Sequence, residues 1–120
     1  MLKGLVIQKE HLDNILNGLK TVEIRKQNTK KREKIALCNK GSIYGFVKIV
    51  DSYPVSRKDL LKPEWEKKHR ATKFLKSGSY AKENMLWVWE LSQIQKLDIP
   101  IPYVHPQGAI IWVELKVEGE

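Results

Sequence analysis

Apolar positions along the chain fall into short runs and alternations, and each period predicts an element. Gly4 to Gln8 reads Gly-Leu-Val-Ile-Gln, a continuous apolar run suited to a buried strand. Glu10 to Asn17 follows with Leu12, Ile15 and Leu16 at helical spacing, which predicts an amphipathic helix. Gly18 stands where that helix should end, because glycine enters the left-handed region without a Cβ clash. Thr21 to Arg25 alternates Val22 and Ile24 with Thr21, Glu23 and Arg25, so the apolar pair can face a core while the other three share the opposite face. The polar stretch Lys26 to Lys34 reads as an exposed loop, followed by a strand at Lys34 to Cys38 and a turn at Asn39 to Ser42. Ile43 to Asp51 is a longer strand in which Gly45 marks a bulge or a close approach.

Residues 52–84 are the least strand-like. Pro54 opens them, and Arg57 to Leu61, Pro63 to Arg70 and Ala71 to Leu75 are short helical candidates. Pro63 suits a first helical turn, where its missing amide hydrogen costs nothing, and Ser77 to Ser79 is expected to be mobile. Strand patterns return at Met85 to Leu91, Ile94 to Ile99 and Ala109 to Val117, separated by the loop with Pro100, Pro102 and Pro106 and by Gly108. Trp87 and Trp89 share one face of the first, and Ile111, Val113, Leu115 and Val117 one face of the last. About six strands with one N-terminal helix predict an α+β fold, a curled mixed sheet or small barrel.

Length and composition narrow the setting. The 120 residues, 42% of them apolar, suit a single domain over 1–120. No run approaches the roughly 20 apolar residues that cross a bilayer, and the apolar start is too short for a signal peptide, so no membrane partner is expected. One cysteine, Cys38, allows no internal disulfide, and a cytoplasmic location follows. The net charge of +8 is uneven: residues 25–34 carry six Lys/Arg against one Glu, and residues 57–82 carry nine against three acids. These two basic segments suit a polyanionic partner.

Candidate chemistry concentrates between Gly18 and Arg25. Lys20, Thr21, Glu23 and Arg25 place an amine, a hydroxyl, a carboxylate and a guanidinium within six positions. Arg25 offers a planar fork to phosphate or a base edge, and Glu23 can orient it or accept from an amine. The competing reading is an edge strand whose Lys20, Glu23 and Arg25 pair in solvent, with little energetic value. Tyr80 and Tyr103 in loops, and less readily Trp87 or Trp89, could stack on bases. His11, His69 and His105 stand in no metal-ligand spacing, so no metal and no cofactor are expected. Cys38, without a neighbouring histidine, reads as a buried structural thiol.

The opening Gly4-Leu5-Val6-Ile7, the helix end Ile15-Leu16-Asn17-Gly18, the run Lys20-Thr21-Val22-Glu23-Ile24-Arg25 and the closing His105 to Val113 together resemble the ASCH domain. Its Gly-x-Lys-x-x-Glu-x-Arg signature is complete as Gly18, Lys20, Glu23 and Arg25. The likeness covers roughly residues 3–50 and 85–117, and residues 52–84 carry no motif. It implies a PUA-like mixed β-barrel with a cleft beside the signature strand, and a role in RNA binding or nucleotide recognition. It also implies two enzymatic alternatives. One is an amidohydrolase of N4-acetylcytidine, whose lysine matches Lys20 but whose threonine falls where Glu23 stands. The other is a ribonuclease of single-stranded RNA, whose lysine also matches Lys20. Catalytic candidates are therefore Lys20, Thr21 and Glu23; ligand-contact candidates are Lys20, Glu23, Arg25, Lys26, Tyr80, Tyr103 and Gly108.

Overall fold

The computed structural model describes residues 2–109 and 111–115. Six strands form one mixed sheet: β1 (Leu2–Val6), β2 (Val22–Arg25), β3 (Lys34–Asn39), β4 (Ser42–Ser56), β5 (Met85–Pro102) and β6 (Trp112–Leu115), in the order β2-β5-β4-β3-β1-β6. β1 and β3 are parallel, which requires a crossover between them, and the chain between these strands supplies helix α1 (Lys9–Leu16) and β2. α1 buries His11, Leu12 and Ile15. Full burial of a Leu or Ile contributes roughly 1.5–3 kcal/mol, so this face holds the helix down. Gly18 ends the turn at φ +77°, as the sequence predicts. No helix among the described residues is long and apolar enough to cross a membrane.

The fold is α+β, but the sheet is open, and the expected barrel is corrected. β2 and β6 lie at opposite ends of the strand order and do not pair among the described residues. The outer edge of β2 is occupied instead by the insertion, the segment 57–84 between β4 and β5. The Lys68 carbonyl accepts from Thr21 N–H at 2.8 Å, and Tyr80 Oη donates to the Ile24 carbonyl at 3.3 Å. With the Ile24 carbonyl and the Thr21 N–H just ahead of the strand engaged in this way, β2 has less to offer a seventh neighbour.

Two of the expected strands merge into β5, with Gln93 at φ +53° between them and a register shift opposite, between Phe46 and Lys48. β4 runs on through Pro54, paired with Trp87, because β3 stops pairing at Lys48 and only β5 flanks that stretch. The insertion carries α2 (Arg57–Leu60), α3 (Pro63–His69), α4 (Thr72–Leu75) and a 3-10 turn at Gly78–Lys82, with Pro63 in the first turn of α3. Leu60 and Leu75 join Val22, Ile24, Leu86 and Val88 in a core of their own. The main core gathers Leu5, Leu12, Ile15, Leu37, Ile49 and Trp89. On β6, Val113 and Leu115 are buried in a third cluster, whereas Ile111 packs on the main core and so leaves their face. Ala109 precedes the strand; Ile110 and Val117 lie outside the described residues.

Candidate functional site

Glu23 sits in the middle of β2 and is 4% exposed. Strand alternation turns Glu23 and Arg25 to one side and Val22 and Ile24 into the insertion's core. Glu23 Oε2 accepts from Arg25 Nε at 3.0 Å and from Nη2 at 2.8 Å, while Oε1 lies 3.3 Å from Lys20 Nζ. Lys20 is fully enclosed, and its Nζ also donates to the main-chain carbonyl of His69. The solvent-paired reading of these residues is thereby replaced by a buried one.

Burial and charge act in opposite directions here. Burial pulls the Lys20 ammonium below its ordinary value, and the Glu23 carboxylate beside it partly restores it. Burial would raise Glu23, but Lys20 and Arg25 together hold it below the ordinary carboxylate value. Two basic groups thus flank one carboxylate, and of the two it is Arg25 that lines a cleft.

The cleft has a volume of about 500 Å3. Val6 and Ile7 at the end of β1, Asn39 at the end of β3, and Glu23 and Arg25 on β2 make one side. The insertion makes the other with Ala71, Phe74 and Ser77 to Tyr80. His11 completes the lining: its ring lies 4.6 Å from that of Phe74, and its Nδ1 is buried without a partner among the described residues. Burial, reinforced by Lys20, lowers its proton affinity and so favours the neutral ring.

His69 joins the insertion to this arrangement. Its Nδ1 accepts from Ala71 N–H at 2.9 Å, so the ring proton is on Nε2, which donates to the Leu60 carbonyl at 2.6 Å. The imidazole ties α3 to α2 and α4, while its own carbonyl receives Lys20.

A family model described as the ASCH domain matches residues 5–101. The chain belongs to the ASCH domain family. The ASCH protein of Zymomonas mobilis is similar in fold, with a TM-score of 0.73 at 16% identity over 95% of this chain and 87% of that one. A serine-to-alanine variant of it gives 0.72 at 15% identity over the same shares. A tyrosine-to-phenylalanine variant gives 0.69 at 16%, over 95% of this chain and 89% of that one. No curated protein matches the chain. The ASCH match runs through residues 52–84, so the insertion lies inside the family's extent although it carries no motif legible by eye.

Within this ASCH domain the candidate residues separate. Glu23, Arg25 and Tyr80 meet at the cleft, with Lys20 behind Glu23. Lys26 is exposed, its Nζ 5.7 Å from the Tyr80 ring centre. Thr21 is exposed and outside the lining. Tyr103 is carried elsewhere, since its N–H donates to the Gly41 carbonyl and it lines a second cavity with Ile43, Ile101 and Leu115. There burial raises Tyr103 to about 12 and Cys38 to about 11. Gly108, at φ +83°, is exposed with open space around it. Trp89 is buried and stacked on Trp112, with ring centres 5.9 Å apart, and Trp87 is half-buried against the same core. His11, Asn39 and Phe74 were not among the candidates. His11 could have been read from its i,i+4 relation to Ile15 on the apolar helix face.

Proposed function

We propose that the chain is an RNA-binding or nucleotide-recognition module, acting as one domain, whose ligand enters the cleft between β2 and the insertion. The observation that carries this reading is Arg25. Glu23 holds its Nε and Nη2, and among the described residues Nη1 has no partner. A guanidinium fixed by Glu23 and the Val6 carbonyl, with Nη1 free of a partner among the described residues, is suited to a phosphate or a base edge. Lys26 above Tyr80 and the loop that follows it extend the same positive potential. A cytoplasmic setting accords with the lone, buried Cys38.

Fluorescence anisotropy of a labelled single-stranded RNA, titrated at increasing salt, tests the reading. Binding should weaken steadily with salt, and Arg25→Ala should weaken it by roughly 10-fold or more, as for a lost charge-assisted hydrogen bond. No binding at low ionic strength would overturn it. Hydrolysis of RNA or of an acylated nucleobase has less support. Lys20 Nζ is enclosed beneath Glu23, and Thr21 stands outside the cleft, so neither reaches a bound group without rearrangement.

A further inference from the structure

Asn39 is a polar group in the cleft that the Lys20 to Arg25 segment does not account for. Its Nδ2 donates to the Ile7 carbonyl at 2.8 Å, which fixes the amide and leaves Oδ1 as the atom to be satisfied. Among the described residues no donor meets Oδ1, and it is not among the enclosed, unpartnered atoms. Arg25 is anchored one residue earlier, its Nη2 3.4 Å from the Val6 carbonyl. Consecutive carbonyls at the end of β1 therefore hold an acceptor and a donor on the lining of one cleft.

The opposite side sets the flat rings of Phe74 and Tyr80 and the Ala71 methyl beside Ser77 and Ser79. Next to Phe74, the neutral His11 has a buried ring nitrogen without a partner, which is costly unless a bound molecule or water reaches it. A planar ligand with a polar edge would meet both kinds of wall.

We infer that the cleft reads the edge of a nucleobase, with Asn39 Oδ1 accepting from an amine or ring N–H and Arg25 donating to a neighbouring nitrogen or carbonyl oxygen. This rests on the cleft being a nucleotide site and adds that the base, rather than the phosphate, carries selectivity. A fully ionised phosphate has no proton for Asn39, and a ribose has no flat face for Phe74 and Tyr80. Base edges combine donors and acceptors on a plane.

The test uses the full chain, titrated with each of the four ribonucleoside 5′-monophosphates and with ribose 5-phosphate as the base-free control. At least one monophosphate should bind on the order of 10-fold more tightly than ribose 5-phosphate, as for one or two added hydrogen bonds. Asn39→Ala should remove that preference, whereas Arg25→Ala should weaken binding of the monophosphates and of ribose 5-phosphate alike. Tyr80→Leu, which removes one wall without touching Asn39, should also reduce the preference and decides the matter if Asn39→Ala does not fold. The inference is overturned if no monophosphate is preferred, or if the preference survives in the folded variants. If no monophosphate is preferred, salt-sensitive RNA binding would leave the cleft as a phosphate-led site, and loss of RNA binding as well would remove the nucleotide reading itself; a preference that survives in the variants would place base selection on other residues.

Discussion

The side-chain nitrogen of Lys20 donates to the main-chain carbonyl of His69, 49 positions further along the chain. Both residues are fully buried, and the same nitrogen faces Glu23. One lysine thus connects the start of the signature strand to the insertion and neutralises the carboxylate that orients Arg25.

Lys20→Met keeps an unbranched side chain only one atom shorter and removes its charge and donors. Glu23 would lose one of its two counter-charges and the His69 carbonyl its partner. Breaking a buried pair in this way costs about 3–5 kcal/mol, whereas an exposed pair is worth about 0–1 kcal/mol. Urea denaturation of the variant should show a loss in the higher range; a loss in the lower range would contradict the enclosure of Lys20.

Acid should destabilise the protein in two stages. Burial lowers His69, and its Nδ1 already accepts from Ala71 N–H, so the folded state takes up a proton less readily than the unfolded chain. Stability should therefore fall as pH drops below the ordinary histidine value of 6.5, and His11 acts in the same sense. Glu23 adds a second decline below 4.5, because its folded value is depressed and its contribution is lost as pH falls through that value. Denaturation midpoints across this range check both stages. Glu23→Gln should start from a lower stability and show a flatter second stage.

Gly45→Ala should be destabilising although the change is one methyl group. A Cβ there would lie 2.5 Å from the Gln95 carbonyl oxygen and 2.6 Å from Leu16 Cδ2. Leu16 can shift, but the Gln95 backbone belongs to β5 and is held by its pairing. A loss of about 1–3 kcal/mol is expected, read as a lower thermal midpoint.

Trp89→Phe should loosen the basic loop as well as the core around Trp112. The indole Nε1–H donates to the Gln27 carbonyl at 3.1 Å, and phenylalanine retains most of the apolar bulk but not that donor. About 1 kcal/mol of stability should be lost. Amide hydrogen exchange should speed up in the segment around Gln27, and unchanged exchange there would assign the anchoring to other contacts.

How much of this was legible in the sequence depends on the distance over which each feature is decided. The α1 face, the Gly18 turn, Pro63 at a helix start and the tight approach at Gly45 follow from local pattern, and the structure has them. Glu23 and Arg25 on one side of β2 follow from alternation. The burial of Lys20 does not, since its partner is a main-chain oxygen in another segment that carries no side-chain signature. Barrel closure is not legible for a similar reason: it depends on what occupies the outer edge of β2, and that is settled by Lys68 and Tyr80. By local pattern Asn39 is a turn residue, because its place in the cleft depends on β1 lying alongside β3.

The insertion leaves and rejoins the β4–β5 hairpin at neighbouring points, where Arg57 N–H donates to the Asn84 carbonyl at 2.9 Å. The wall of the cleft is therefore joined to the sheet covalently at a narrow neck, and its other ties to the sheet are the side-chain and main-chain contacts along β2. A different segment could be grafted across that neck without disturbing strand register, provided it supplied an oxygen for Lys20 and apolar cover for Val22 and Ile24. The selectivity of such a site could then be changed by exchanging the wall while the strand bearing Glu23 and Arg25 stays as it is.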